Sequence, residues 1–279
     1  MNGNITKQRI LVTVKTYPTL SRKYGETVCT AGIREDGSWV RIYPVPFRRL
    51  DEKEQYRKFD WIECSLIRNR SDPRPESQRP VALEEIQPVG HIDTANSWQE
   101  RRTFLLKTAK VYTHMGELID KAKANQLSLA VFKPNRILDF LWEEENREWD
   151  PDILSEIREG SRQLDLFEET TWQQTFQAIP KLPYSFSYKF KDEENQVREL
   201  KVLDWQTGAL FWNCLKSSNG DEQAALAKVR QKYFAFSHKT DLHFFLGTTW
   251  PFHFIGRNPW VIIGVFPIPF ERQMEIPFP

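Results

Sequence analysis

Guanidinium and flat aromatic side chains recur together across the first eighty positions: Trp39, Arg41, Tyr43, Arg48, Arg49, Arg68, Arg70, Arg74 and Arg79. A guanidinium is a permanent cation whose planar fork matches two phosphate oxygens at once. An indole or phenol ring offers a face on which a base stacks. Side by side, the two can grip a polyanion and hold its bases. This is binding chemistry and needs no turnover. Within residues 38–43 (SWVRIY), Trp39, Arg41 and Tyr43 lie two apart. In a strand they share one face, turned away from the core, while Val40 and Ile42 take the other. The competing structural account packs Trp39 and Tyr43 beneath another element. It pairs the arginines with Asp51, Asp60, Asp72 or Glu76.

Other reactive groups are sparser. The histidines are His91, His114, His238, His243 and His253, and the last three surround Asp241 in FSHKTDLHFFLGTTWPFH. Two imidazoles and a carboxylate could bind a divalent metal or move protons. The step from His238 to His243 sets them on opposite faces of a strand and matches no zinc spacing, so ordinary hydrogen-bonded histidines are favoured. Asp204 follows an apolar run and precedes a helical pattern, the position of an N-cap. Asp139 within RILDFLW reads as an outward-facing strand residue, and Cys29 as a buried thiol. Phosphate-loop, dinucleotide, HExxH, GxSxG and zinc-deaminase patterns are all missing, so no cofactor and no metal is expected.

The elements that must position these groups can be read from periodicity. Residues 9–15, 27–34, 38–43 and 59–67 alternate as strands, and Asp36-Gly37 marks a tight hairpin between the second and third. Residues 68–80 hold three prolines and no period, which predicts a loop. Helical patterns span 97–112, capped near Asn96 or Ser97, and 116–125. Strand patterns return at 128–134 and 136–142. Residues 143–169 are acidic without an apolar stripe, which predicts a mobile surface path or linker. A strand pair at 184–191 and 197–203 leads into helices at 204–216 and 221–234. Buried strands at 242–246 and 260–266 follow.

Composition bounds the class. The chain has 279 residues, 40% hydrophobic and 28% charged, as in a soluble globular protein, and its nineteen Phe and ten Trp predict aromatic cores. Three separated cysteines form no CxxC pair, which argues against a zinc ribbon or a disulfide framework. The net charge of +1 conceals an asymmetry. Residues 1–80 hold 16 Lys and Arg against 10 Asp and Glu, and residues 81–170 hold 11 against 18. A basic first third points to a polyanionic partner. No signal-peptide run and no membrane-length apolar stretch are present, which predicts a cytoplasmic protein without membrane contact.

At GETVCTAGIREDGSWVRIYP the chain resembles bacterial dual-OB-containing proteins, through Cys29, Ala31, Gly32, Trp39, Val40, Arg41 and Pro44. The resemblance covers about thirty residues. It implies paired OB-like barrels and a nucleic-acid role, and brings no catalytic residue. The expected architecture is β-rich α+β, with two small OB-like or SH3-like barrels and intervening helices. Residues 1–90 form the first barrel, 91–180 a helical and acidic connection, and 181–279 the second barrel-like domain. The expected function is nucleic-acid binding, DNA or RNA, through the arginine and aromatic surface. One alternative is a metal-dependent enzyme acting on nucleic acid or nucleotides through Asp204, Asp241 and His243. Another is a module whose aromatic surface holds a protein partner.

Overall fold

The computed structural model describes residues 5–22, 24–164 and 178–270, without the side chains of Arg49 and residues 160–164. The fold is β-rich α+β. Its first sheet is built from β1 (Thr6–Lys15), β2 (Thr19–Ser21), β3 (Gly25–Arg34), β4 (Trp39–Val45), β5 (Asp60–Arg68), β6 (Ser77–Pro80) and β7 (Gln87–His91). Five of these close a barrel, β1-β3-β4-β6-β5 and back to β1; β2 adds to β3 and β7 to β5. The hairpin between β3 and β4 turns at Gly37, whose φ of 82° is the left-handed value that Asp-Gly supplies. Strand alternation sorts the side chains. Ile10, Val12, Val28, Val40, Ile42, Ile62, Cys64 and Leu66 fill the barrel. Leu11, Val14, Ala31 and Ile33 point outward, yet they too are fully buried.

The second half covers that outer face. Its strands are β8 (Val111–Tyr112), β9 (Leu129–Phe132), β10 (Arg136–Glu144), β11 (Tyr184–Lys191), β12 (Val197–Val202), β13 (Thr240–Thr248) and β14 (Trp260–Pro269). They form one sheet in the order β10-β11-β12-β14-β13-β9-β8. One face packs against the barrel, joining Leu129, Val131, Phe245, Ile263, Phe266 and Ile268 to Leu11, Val14, Ala31 and Ile33. The opposite face carries an aromatic core of Phe140, Phe186, Tyr188, Phe211, Tyr233 and Phe244 beneath the helices. The helices are α1 (Ala95–Thr108), α2 (Met115–Lys123), α3 (Pro151–Leu164), α4 (Trp205–Ser217) and α5 (Glu222–Lys239). Asp204 and Asp221 cap α4 and α5 by accepting from the backbone N–H of Gln206 and Ala224.

Several sequence expectations differ from the fold. The proline-rich stretch 68–80 contains β6, the fifth barrel strand, which pairs parallel with β4 through Arg41–Ser77 and Ile42–Gln78. Its four residues end on Pro80, too short to display a period. The acidic stretch contains α3, with Ile157 buried at its centre. Charges on the exposed faces hid that spacing, and residues 165–169 lie outside the described residues. Residues 96–98 open α1 with positive φ and no side-chain cap, and Val111 and Tyr112 belong to a strand. His238 ends α5 rather than sharing a strand with His243. Where a second small barrel was expected, the end strands β10 and β8 of the second sheet do not pair with each other.

Candidate functional site

A cleft of about 550 Å³ opens where the two sheets meet. The barrel contributes residues 16–19 after β1, Cys29 of β3, Arg41 and Tyr43 of β4, and Arg74 from the loop before β6. The second sheet contributes Tyr184, Ser185 and Phe186 of β11, Val202 of β12, Thr248 of β13, and Val261 and Ile263 of β14. Glu145, Trp149, Lys181, Lys201 and Trp250 add to the lining, and residues 203–208 bring Asp204 to it. The wall is aromatic and aliphatic with a few convergent polar groups, the usual composition of a ligand site.

Arg41 is the distinctive group in this wall. It turns away from the barrel core, as alternation predicts, but into the interface rather than into solvent, and is 2% exposed. Its Nη1 donates to Cys29 Sγ at 3.4 Å, and its Nη2 to the carbonyl and hydroxyl of Ser128 at 3.0 and 3.3 Å. Its Nε has no acceptor among the described residues. Among the described residues, no carboxylate touches it. Glu76 instead receives the Ser128 N–H at 2.9 and 3.0 Å and the Ser128 hydroxyl at 2.6 Å, so its charge reaches Arg41 through one intervening residue. Burial lowers the pKa of Arg41, and the neighbouring Arg74 lowers it further. A guanidinium stays charged nonetheless, so the cleft wall holds a buried, incompletely paired cation.

Arg74 is also buried but well matched. It grips Asp72 through Nε at 2.9 Å and Nη2 at 2.6 Å, and its Nη1 donates to the Thr248 carbonyl at 2.5 Å. Burial pushes the Asp72 carboxyl up, but hydrogen bonds and charge from Arg74 outweigh it and hold the group at about 2. His253 reports the same field. It is fully buried between Thr248 Oγ1 at 2.9 Å and Asn125 Oδ1 at 3.0 Å. Burial first, then the charges of Arg74 and Arg41, push its pKa down to about 4. Burial, reinforced by the two guanidinium charges, keeps the imidazole neutral.

The rim is fixed by hydrogen bonds. The Tyr17 hydroxyl donates to the Pro180 carbonyl at 2.9 Å and accepts from Trp212 Nε1 at 2.9 Å. Trp149 Nε1 donates to the Ile179 carbonyl at 2.8 Å, and Lys181 sits 5.9 Å from the Trp149 ring. Lys201 pairs with Glu145 at 3.0 Å.

The sequence-derived residues therefore separate. Arg41, Tyr43 and Arg74 come together in the cleft. Trp39 packs edge-on against Phe245, with ring centroids 6.0 Å apart, and joins the interface core. Arg48 pairs with Glu26 at 2.7 Å. Arg68 pins its own loop, donating to the carbonyls of Pro73, Arg74, Pro75 and Ser77. Arg70 and Arg79 are exposed and outside the cleft lining, and the Arg49 side chain lies outside the described residues. Cys29 is half-buried and lines the cleft rather than the core. Sequence reasoning missed the second-half wall, because alternation gives a strand's faces but not what covers them.

The groups weighed for catalysis all have structural partners, and one of them, Asp204, also lines the cleft. Asp204 receives Lys58 Nζ at 2.8 Å and the Val265 N–H at 3.0 Å besides capping α4. Asp139 pairs with Arg230 at 2.8 Å, and Asp241 with Lys133 at 2.7 Å. His243 is buried, which lowers its pKa. Among the described residues, no group of three or more His, Cys, Asp or Glu side chains could hold a metal ion. No helix among them is long and apolar enough to cross a membrane.

No curated protein and no solved structure matches the chain. Two family models do. Residues 6–107, the barrel and most of α1, match a domain of unknown function (DUF8758). Residues 111–277 match a second, and with more than half of its length covered the chain belongs to the family described as a domain of unknown function (DUF8757).

Proposed function

We propose that the protein binds nucleic acid in the cleft between barrel and second sheet. Counting only the five closing strands, the barrel pairs its first strand with its second and fourth, and its third with its fifth. This order supports reading it as OB-like. Barrels of that class bind oligonucleotides or oligosaccharides on the face of their second and third strands, between the first–second and fourth–fifth loops. Those elements here are β3, β4, the turn at residues 16–19 and the loop holding Arg74, all of which line the cleft. Charge separates the two ligand classes. A neutral saccharide leaves a buried guanidinium unmatched, whereas a phosphate completes it.

The observation that carries the reading is Arg41, a buried cation in an aromatic cleft that pairs with no carboxylate among the described residues. Phosphate contacts by Arg41 and Lys181 predict a salt slope of about −1.4 for a single strand, each contact contributing about 0.7. Anisotropy titrations of labelled single-stranded DNA and RNA over a salt series measure it. Arg41→Gln is expected to weaken binding at low salt and to flatten the slope by one contact. Unchanged affinity and slope in a folded Arg41→Gln protein would remove the cleft from the reading.

A further inference from the structure

We infer that the cleft takes the phosphate-bearing end of a single nucleic-acid strand, and that the loop carrying Trp250, Phe252 and Phe254 stacks the bases that follow. This rests on the nucleic-acid reading of the cleft and adds which part of the strand enters.

Burial makes the first half of the argument. Arg41 is 2% exposed and is held by Cys29 and Ser128 where the two halves meet. An internal phosphodiester carries a nucleoside on each side, so both must enter and leave for its oxygens to reach the Arg41 guanidinium in the cleft wall. A terminal phosphate has one covalent connection and enters first. The cleft volume of about 550 Å³ suits one compact ligand rather than a run of nucleotides. A terminal monoester also carries more negative charge than a diester at neutral pH, about −1.5 to −2. That suits a wall where two guanidiniums already act on each other and on His253.

The rim makes the second half. Trp250 lines the cleft yet is 49% exposed, and Phe252, Phe254 and Ile255 continue from it at 56%, 39% and 81%. Four exposed apolar side chains within six residues are unusual for a loop without a ligand. The loop is also held in shape. Trp250 Nε1 donates to the Ser71 carbonyl at 3.3 Å, Gly256 N–H to the Phe252 carbonyl at 2.8 Å, and buried His253 stacks edge-on against Phe254 at 4.6 Å. Arg257 follows, exposed. Fixed rings beside a cation form a stacking platform that tolerates any base. Its continuity with the cleft through Trp250 places it where the second and third nucleotides emerge.

The test compares one oligonucleotide sequence in four forms: 5′-phosphorylated, 3′-phosphorylated, hydroxyl-ended and circular. A nucleoside monophosphate serves as the short ligand. One phosphorylated form is expected to bind at least about tenfold more tightly than the hydroxyl-ended and circular forms. Arg41→Gln should abolish that preference, and Arg41→Lys, which keeps the charge, serves if the Gln variant fails to melt cooperatively. Phe252→Ala and Phe254→Ala, outside the cleft lining, should weaken the oligonucleotide and leave the monophosphate unchanged. Equal binding of circular and linear strands overturns the strand-end inference while nucleic-acid binding stands. A monophosphate that binds as tightly as the oligonucleotide overturns the stacking role of the loop. Failure of every polynucleotide to bind sinks the underlying reading itself, and the inference with it.

Discussion

Cys29 and Cys64 both sit on barrel strands, but their thiols face different surroundings. Cys64 is fully buried inside the barrel, where burial pushes its pKa up to about 12. Cys29 faces the cleft beside the Arg41 guanidinium. An alkylating agent must reach the sulfur, so exposure favours Cys29. Iodoacetamide followed by peptide mass spectrometry should modify Cys29 and spare Cys64, with half-buried Cys214 on α4 as a control away from the cleft. A bound oligonucleotide should slow modification at Cys29 and leave Cys214 unaffected. Equal protection of both would place the ligand elsewhere. His253 supplies a pH readout at the same scale. Its pKa is about 4 in the fold against an ordinary 6.5, so between those values the unfolded chain binds more protons. Stability is complete above that window and falls as the pH drops through it. Buried His243 acts in the same direction, and Asp72 extends the loss below the usual carboxylate range. Denaturant titrations across the window should show a shallower acid loss in His253→Gln. An unaltered slope would mean the imidazole is already protonated in the fold.

At the scale of elements, two glycines with the same backbone conformation separate turn geometry from packing. Gly37 in the β3–β4 hairpin and Gly220 between α4 and α5 have φ of 82° and 85°. A left-handed non-glycine residue costs roughly 1–2 kcal/mol. At Gly220 no atom of the described residues lies within 4 Å of an added Cβ, so Gly220→Ala should cost about that much and no more. At Gly37 the added Cβ meets the Thr108 carbonyl at the end of α1, so Gly37→Ala should cost clearly more by urea unfolding. Equal losses would show that the hairpin moves freely from α1. The same hairpin marks what the chain reveals in advance. Asp-Gly, the alternation of β1, β3, β4 and β5, and the cap at Asp204 were legible because each depends on neighbours in sequence. Strand β6 was hidden because its partners are β4 and β5, distant in sequence, and α3 because charge on its exposed faces masks the residues it buries. The cleft was half legible. Arg41, Tyr43 and Arg74 were named, while Trp149, Tyr184 and Phe186 arrive from a sheet whose position depends on long-range packing.

At the scale of the whole molecule, the cleft exists because the two halves share one interior. Leu11, Val14 and Ile33 of the barrel are buried by Phe245, Ile263 and Phe266 of the second sheet, each side chain contributing about 1.5–3 kcal/mol. Polar clamps cross the same boundary: Lys58 to Asp204, Arg74 to Thr248, and Glu76 and Arg41 to Ser128. The last clamp sets binding against stability. Glu76 is the carboxylate whose charge supports Arg41, through Ser128. Glu76→Gln keeps an oxygen for the Ser128 hydroxyl but strands the buried guanidinium without its counter-charge. Breaking a buried charge arrangement in this way costs about 3–5 kcal/mol when the pair is in direct contact, and should cost less through an intervening residue. The variant should therefore melt at a lower temperature than the native chain. It should also bind an anionic ligand more tightly, because the ligand now supplies the missing charge, and saturating ligand should restore more of the lost stability than it adds to the native protein. Paired melting curves with and without a phosphorylated oligonucleotide measure both effects. A lowered melting temperature with no extra gain from the ligand would mean that the anion does not meet Arg41, and that Glu76 serves only to join the halves.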